Sequence, residues 1–292
     1  MPDAVIAIVK GGLGNQLFIY AAARALALHT GRDLYLDTAR GYTHDHYGRS
    51  YRLDRFPIRA QLMPEAWRVA PHLKHLRYRF IRTYNKCLPR NWRSYLSERS
   101  NLSTHQLTEW KPLRKRVTVT GYWQDEAYFA DQADLLRKEL SIPVPNGLFN
   151  RERGQRFATV DTVFLHFRRI RYHHVLGLNY YQQAINLICK LVAKPVFVLF
   201  GDDMDGPRSR LDFHGGTVEC VNDNADDELA DLWLMSCCRH AIIANSSFSW
   251  WGAWLGAGSR GGKVFAPERT NLQLRPAASY QLVPCGFEEV KS

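Results

Sequence analysis

The sequence predicts an α/β protein of two Rossmann-like domains, residues 1–145 and 146–292. Three observations lead there. At 292 residues the chain exceeds the roughly 100–200 residues of a single domain. Short, continuously apolar runs alternate with helix-period segments in both halves, the pattern of parallel sheets with right-handed crossovers. The segment Ser141-Ile142-Pro143-Val144-Pro145-Asn146-Gly147 interrupts that alternation with turn-forming residues.

The first strand is Val5-Ile6-Ala7-Ile8-Val9, apolar throughout as a strand buried on both faces must be. Gly11-Gly12-Leu13-Gly14 ends it. Leu17, Phe18, Ala21, Ala22, Ala25, Leu26 and Leu28 then recur at helical spacing from Asn15 to His29, with Gly31 placed to stop the helix. Leu34-Tyr35-Leu36 forms a second strand ending at Asp37. Residues 40–116 are basic, aromatic and weakly periodic, and predict helical pieces with long loops. Val117 to Trp123 predicts a strand running into a loop, followed by a helix from Ala127 to Leu140. In the second half, strands are predicted at 162–167, 195–200, 217–221, 241–245 and 263–266, and helices at 179–193, 226–239 and 247–256.

Hydrophobic residues make up 46% and charged residues 23%, the balance of a globular chain, which excludes disorder. The net charge of +11 calls for an anionic partner: nucleic acid, a membrane surface or a phosphate-bearing substrate. Between Glu65 and Glu98 no acidic residue occurs. Arg68, Lys74, Arg77, Arg79, Arg82, Lys86, Arg90 and Arg93 lie there, interleaved with Trp67, Tyr78, Phe80, Tyr84, Trp92 and Tyr95. Residues 66–97 therefore fit an anionic membrane surface, a single-stranded nucleic acid or a solvated basic face over a core stripe. The cations follow no nucleic-acid-binding motif, so no nucleic acid is expected. Six cysteines without C-x-x-C or disulfide-like spacing point to a reducing compartment. Met1-Pro2-Asp3 lacks the basic start of a signal peptide, and no apolar run approaches the ~18 residues of a membrane span. The expectation is a cytoplasmic protein, soluble or at most peripheral on the inner membrane face.

Ligands of open parallel sheets bind beyond the carboxyl ends of the strands. Three strands of the second half deliver polar clusters there: His166-Phe167-Arg168-Arg169, Gly201-Asp202-Asp203 and Asn245-Ser246-Ser247-Phe248-Ser249. The last runs into a helix, whose free N–H groups and dipole favour an anion. Arg168 and Arg169 add guanidinium forks suited to phosphate. Together they predict a pyrophosphate pocket.

The run from Asp231 to Trp254 resembles the signature of glycosyltransferase family 11, the α-1,2-fucosyltransferases. Gly11-Gly12-Leu13-Gly14-Asn15-Gln16-Leu17-Phe18, Gly121-Tyr122-Trp123-Gln124, Asn179-Tyr180-Tyr181 and Phe200-Gly201-Asp202-Asp203 are similar to other motifs of that family. The resemblance implies a GT-B-like architecture, two domains facing a cleft, with GDP-fucose on the C-terminal domain and the acceptor on the N-terminal side. It implies that Arg168 contacts the β-phosphate, His166 lies near the nucleoside, and Asp231 pairs with guanine. Ser246, Ser247 and Ser249 would hold the diphosphate, with Asn245, Phe248 and Arg169 beside them. Gly12, Gly14, Asn15 and Gln16 would meet the donor from the other domain. The family motif reads His-x-Arg-Arg-Gly-Asp-Tyr, whereas this chain has Arg171 at the acidic position.

The implied reaction is inverting transfer of L-fucose to a galactoside hydroxyl, O2 expected, of a surface glycan or glycolipid. Arg168 and the 245–249 turn would stabilise the leaving group without metal, and no cofactor is called for. Asp37, Asp45 and Glu126 are candidate bases by position. A GDP-sugar-binding protein without turnover, or a transferase of altered donor or acceptor, is the alternative that Arg171 raises. A dinucleotide fingerprint fails because Leu17 takes its third glycine slot. Asp203-Met204-Asp205 has D-x-D form in a turn-rich segment, and His166, His173 and His174 lack metal-ligand spacing. Trp250, Trp251 and Trp254 fit a core helix face better than a sugar platform.

Overall fold

A computed structural model describes residues 2–43, 45–68, 83–85, 87–98, 107, 109–169, 175–224, 227–268 and 274–288. The chain forms two compact units, Met1–Leu140 and Ser141–Ser292.

In the first unit, β1 (Ala4–Ile8) leads into α1 (Leu13–Thr30) and back to β2 (Asp33–Asp37). Every residue of β1 is buried, which explains its unbroken apolar run. Gly31 ends α1 in the left-handed region at φ 62°, its N–H reaching the carbonyls of Ala27 and Leu28. β3 (Gln61–Leu62), β4 (Tyr95–Ser97) and β5 (Arg116–Thr120) complete a five-stranded sheet in the order β3-β2-β1-β5-β4. All its pairings are parallel. Residues 40–116, expected to be helical pieces, thus supply both edge strands of this sheet. These strands are too short to show alternation, and pairing with a neighbour defines them.

The helix expected over 127–140 begins late. Asp125 accepts the Ala127 N–H and closes a 3-10 turn, and Phe129 leaves helical geometry at φ −146°. Phe129 packs on Phe18 and Tyr128 on Trp123, with ring centroids 6.1 Å and 5.3 Å apart. Only α2 (Ala133–Glu139) is α-helical. Its buried Glu139 takes the Arg24 guanidinium at 2.7 Å and the Tyr20 hydroxyl, tying α2 to α1.

The second unit opens with α3 (Leu148–Thr159), which the sequence pattern hides because only Gly154 and Phe157 are buried. Its contact is close: a Cβ at Gly154 would lie 2.2 Å from the Trp233 ring. Then follow β6 (Thr162–Phe167), β7 (Val175–Leu176), α4 (Leu178–Leu191), β8 (Val196–Gly201), α5 (Asp205–Arg210), β9 (Thr217–Cys220) and α6 (Glu228–Cys237). The chain ends with β10 (His240–Ile242), α7 (Ser247–Leu255), β11 (Val264–Pro267), β12 (Gln281–Val283) and β13 (Phe287–Glu288). β7 and β13 form a small antiparallel ribbon.

The remaining six strands make one parallel sheet in the order β12-β11-β10-β6-β8-β9. From β6 the chain winds outward to β9, then returns to β10 on the other side. The order therefore reverses between β6 and β10, which creates a switch-point crevice at their carboxyl ends. Val163, Leu165, Phe197, Leu199, Tyr180 and Ile185 anchor the core on one face. Trp250, Trp251 and Trp254 are at most 2% exposed and pack on one another, so they are core. All six cysteines are free thiols. Among the described residues no helix is long and apolar enough to cross a membrane.

Candidate functional site

The switch point of the second unit gathers the polar clusters. β6 and β8 run in register to Phe167 beside Gly201. At Gly201 (φ +147°) a Cβ would lie 2.1 Å from the Phe167 carbonyl oxygen, so only glycine lets the chain turn there without leaving β6. The Asp202 N–H then donates to that same carbonyl at 3.3 Å. Asp202 Oδ1 accepts the Arg169 N–H at 2.7 Å, and Oδ2 pairs with Arg168 Nη1 at 2.9 Å. Asp203 Oδ2 takes Arg169 Nε at 3.1 Å. Two arginines thus leave β6 held by two consecutive carboxylates from β8. The Arg168 side chain remains 42% exposed while that of Arg169 is 17% exposed, so Arg168 presents the more open face to a ligand.

His166 is buried, and its carbonyl accepts the Tyr181 hydroxyl at 2.9 Å. Burial first, and the Arg168 charge second, push its pKa down to about 3. The imidazole is therefore neutral at working pH. Its Nδ1 has no hydrogen-bond partner among the described residues, and its ring lies 6.0 Å from that of Phe248.

On the neighbouring strand, the Tyr180 hydroxyl donates to the Ile243 carbonyl at 2.6 Å and fixes the exit from β10. Ser249, fully buried, accepts the Ala244 N–H at 3.2 Å and donates to the Ser246 carbonyl at 3.3 Å. Ser246 caps α7 by accepting the Phe248 N–H at 3.3 Å. Both hydroxyls build the turn. Ser247 and Phe248 are the partly exposed residues of the cluster, at the positive end of α7, and Asn245 is buried beneath them.

Asp231 occupies the first turn of α6. Asn224 Nδ2 donates to its Oδ1 at 2.9 Å, and Asn150 Nδ2 of α3 donates to Asn224 Oδ1 at 2.8 Å. Burial, reinforced by Asp223 and Asp227 against the hydrogen bond from Asn224, raises the Asp231 pKa to about 6. Neither asparagine stands out in the sequence. They lie 74 positions apart, and only the packing of α3 connects them.

The matching turn of the first unit is built differently. Gly12 precedes α1 in extended geometry without a side-chain cap, and Gly14 is buried. Gln16 is fully buried: its Nε2 donates to the Gly11 and Ser50 carbonyls at 3.0 and 2.8 Å, and its Oε1 accepts the Arg52 N–H at 2.9 Å. Asn15 Oδ1 takes the Gln124 amide at 2.6 Å, joining two motifs that stand far apart in sequence. Gln16 holds the loop at Ser50–Arg52 by its side chain.

Of the carboxylates considered as bases, Asp37 is buried, accepts the Ala39 and Arg40 N–H groups at 3.2 and 3.1 Å and pairs with Arg40. Asp45 caps a turn through the Tyr47 and Arg49 N–H groups, and the Arg49 bond foremost holds its carboxyl below the usual range. Both serve their own turns. Glu126 begins the 3-10 turn after Asp125. The D-x-D residue Asp203 is paired with Arg169, and among the described residues no group of His, Cys, Asp and Glu could hold a metal. Arg171, His173 and His174 lie outside the described residues.

The profile described as Glycosyl transferase family 11 matches residues 4–273. Among curated proteins, an Escherichia coli alpha-1,2-colitosyltransferase is 29% identical over 263 residues, covering 86% of this chain and 87% of its own. The O-antigen biosynthesis glycosyltransferase WbnK of Escherichia coli is 26% identical, with coverage of 85% and 88%. Among solved structures, a mutant of Arabidopsis thaliana FUT1 in complex with GDP superposes with a TM-score of 0.53 at 15% identity, over 98% of this chain and 74% of that one. The fold is thus α/β with parallel sheets, GT-B-like. The chain belongs to glycosyl transferase family 11 and is a glycosyltransferase.

Proposed function

We propose that the chain is an inverting, metal-independent transferase that moves L-fucose from GDP-fucose to a galactoside hydroxyl, O2, of a surface glycan. The observation that carries this is the pair Arg168–Asp202 and Arg169–Asp203 at the switch point of a family 11 chain, one strand away from the start of α7. In this reading the C-terminal unit binds the GDP-sugar and the N-terminal unit is the acceptor side. Arg168 and the positive end of α7 at Ser247 hold the diphosphate. Asp231 takes the guanine N–H groups, with Asn224 fixing one carboxylate oxygen, and neutral His166 lines the nucleoside.

The reaction breaks the bond between fucose C1 and the β-phosphate oxygen, and GDP leaves with the electron pair. The acceptor oxygen forms its bond to C1 from the opposite face, and its proton passes to a base or to water. Charge grows on the β-phosphate as the bond loosens. Fixed donors placed there in a partly dry site meet it without reorganising. An acceptor carried on a membrane lipid fits a protein at the inner membrane face, docked through its basic region.

Calorimetry with EDTA present tests the donor assignment. Micromolar binding of GDP and GDP-fucose, unaffected by UDP or NADH, is expected. No heat with GDP would overturn the reading. Arg171 in place of the motif's acid supports a second one: a protein that binds GDP-sugar without turnover, or transfers a different sugar. Binding without transfer to any galactoside would favour the first form. Turnover with GDP-colitose instead of GDP-fucose would favour the second, in keeping with the relative named for colitose transfer.

A further inference from the structure

The amino edge of the first sheet carries a surface that the transfer chemistry does not use. The segments that precede β4 and β5 meet there and line a groove of about 340 Å³, formed by Tyr84, Leu88, Trp92, Arg114, Lys115 and their neighbours. Tyr84 and Trp92 are each 51% exposed and Leu113 is 62% exposed. Lys111, Arg114 and Lys115 are exposed beside them. Neither 83–97 nor 110–124 contains an acidic residue.

This surface is held rigid. The Arg32 guanidinium, its side chain only 8% exposed, donates to the carbonyls of Pro112 at 2.7 Å and of Arg114 and Lys115 at 2.8 Å. Asp3, 4.0 Å from that guanidinium, is the carboxylate nearest it among the ion pairs described. The Leu113 N–H donates to the Asn91 carbonyl at 2.7 Å, locking the two segments together. Asn85, buried, accepts the Ser94 and Tyr95 N–H groups at 2.7 and 3.2 Å. A loop pinned this firmly holds Leu113 in water. A fixed aromatic and aliphatic ridge rimmed by cations is the arrangement that inserts at a lipid headgroup boundary.

We infer that this amino-edge ridge, Trp92, Tyr84 and Leu113 with Lys111, Arg114 and Lys115, docks the protein on an anionic phospholipid surface. It deepens the membrane part of the reading above and is independent of the donor chemistry. Single-stranded nucleic acid fits less well. Arg114 sits over the Trp92 ring at 5.8 Å and covers a face that a base would need, and Leu113 offers no stacking face.

Flotation of the full chain with vesicles of phosphatidylcholine and phosphatidylglycerol (3:1), against phosphatidylcholine alone, tests the docking. Binding to the anionic vesicles, weakened by salt, is expected. Lys111→Ala and Lys115→Ala should each lower it about fivefold, and Trp92→Ala with Leu113→Ser should abolish it at unchanged thermal midpoint. Equal flotation with both vesicles, or full binding by all these variants, would overturn the proposal. So would variants that lose affinity for a labelled oligothymidine but keep it for the vesicles. GDP calorimetry on the same samples separates the two readings, because vesicle binding without GDP binding defeats only the donor assignment.

Discussion

The carboxyl edges of the two sheets occupy the same topological place and do different work. Each has a glycine-bearing turn between a central strand and a helix. In the first unit the motif side chains are neutral and committed: Gln16 to the Gly11 and Ser50 carbonyls and the Arg52 N–H, Asn15 to the Gln124 amide. In the second unit they are charged, and Arg168 keeps a substantial part of its surface open. Ser246 and Ser249 there resemble Gln16 more than they resemble Arg168, since their hydroxyls are committed to the turn. Motif membership therefore does not separate frame from contact. Hydroxyl and amide groups already committed to the turn set Gln16, Ser246 and Ser249 apart from the more open Arg168.

The largest test of this division is Arg168→Ala. Loss of one preorganised donor typically costs about 10²–10³ in rate, so kcat should fall by that order at an unchanged unfolding midpoint. A variant with wild-type turnover would move Arg168 to the frame. Gln16→Ala should behave in the opposite way. Two carbonyls and one N–H lose their partner, which costs about 1–3 kcal/mol for each group left buried without water, read by urea unfolding. Its turnover per folded molecule should stay near wild type, and a selective loss of kcat would make Gln16 a contact residue.

The smallest effect is a pH dependence at Asp231. Its carboxyl titrates near pH 6 in the free protein because burial disfavours the charge. The proposed pairing with guanine needs the carboxylate, so GDP affinity should be flat above pH 7 and fall by up to tenfold per pH unit below about 6. Stability runs the other way. A carboxyl raised from 3.8 to about 6 favours the folded state below pH 4, and this contribution is lost as pH rises to 6. Asp231→Asn should remove both trends. Affinity that is indifferent to pH between 5 and 7 in the wild type would take Asp231 out of the nucleotide pocket.

How legible was this in the sequence? β6 and β8 were, because a strand buried on both faces has no room for charged residues until it emerges, and the appearance of Arg168 and Asp202 marks the edge. α1 and its Gly31 stop were legible for similar reasons. α3 was not, since a helix buried only through Gly154 and Phe157 has almost no apolar period. Its neighbour Asn224 went unread with it. The edge strands β3 and β4 owe their form to pairing with partners far along the chain, which local pattern does not encode. The pairing of Asp202 with Arg168 was equally invisible, although both residues were on the page, because spacing along the chain is silent about which strands become neighbours.

The carboxylates behind Arg168 and Arg169 bear also on what happens after the bond has broken. In the proposed reaction a nucleotide leaving the pocket does not abandon bare cations, since Asp202 and Asp203 stand ready to take the guanidiniums back. The product therefore competes with a resident counter-ion throughout its stay. Asp202→Asn should lengthen that stay, measured as the GDP dissociation rate. On that proposal the wild-type site is poised for release, and with it for weak inhibition by its own product.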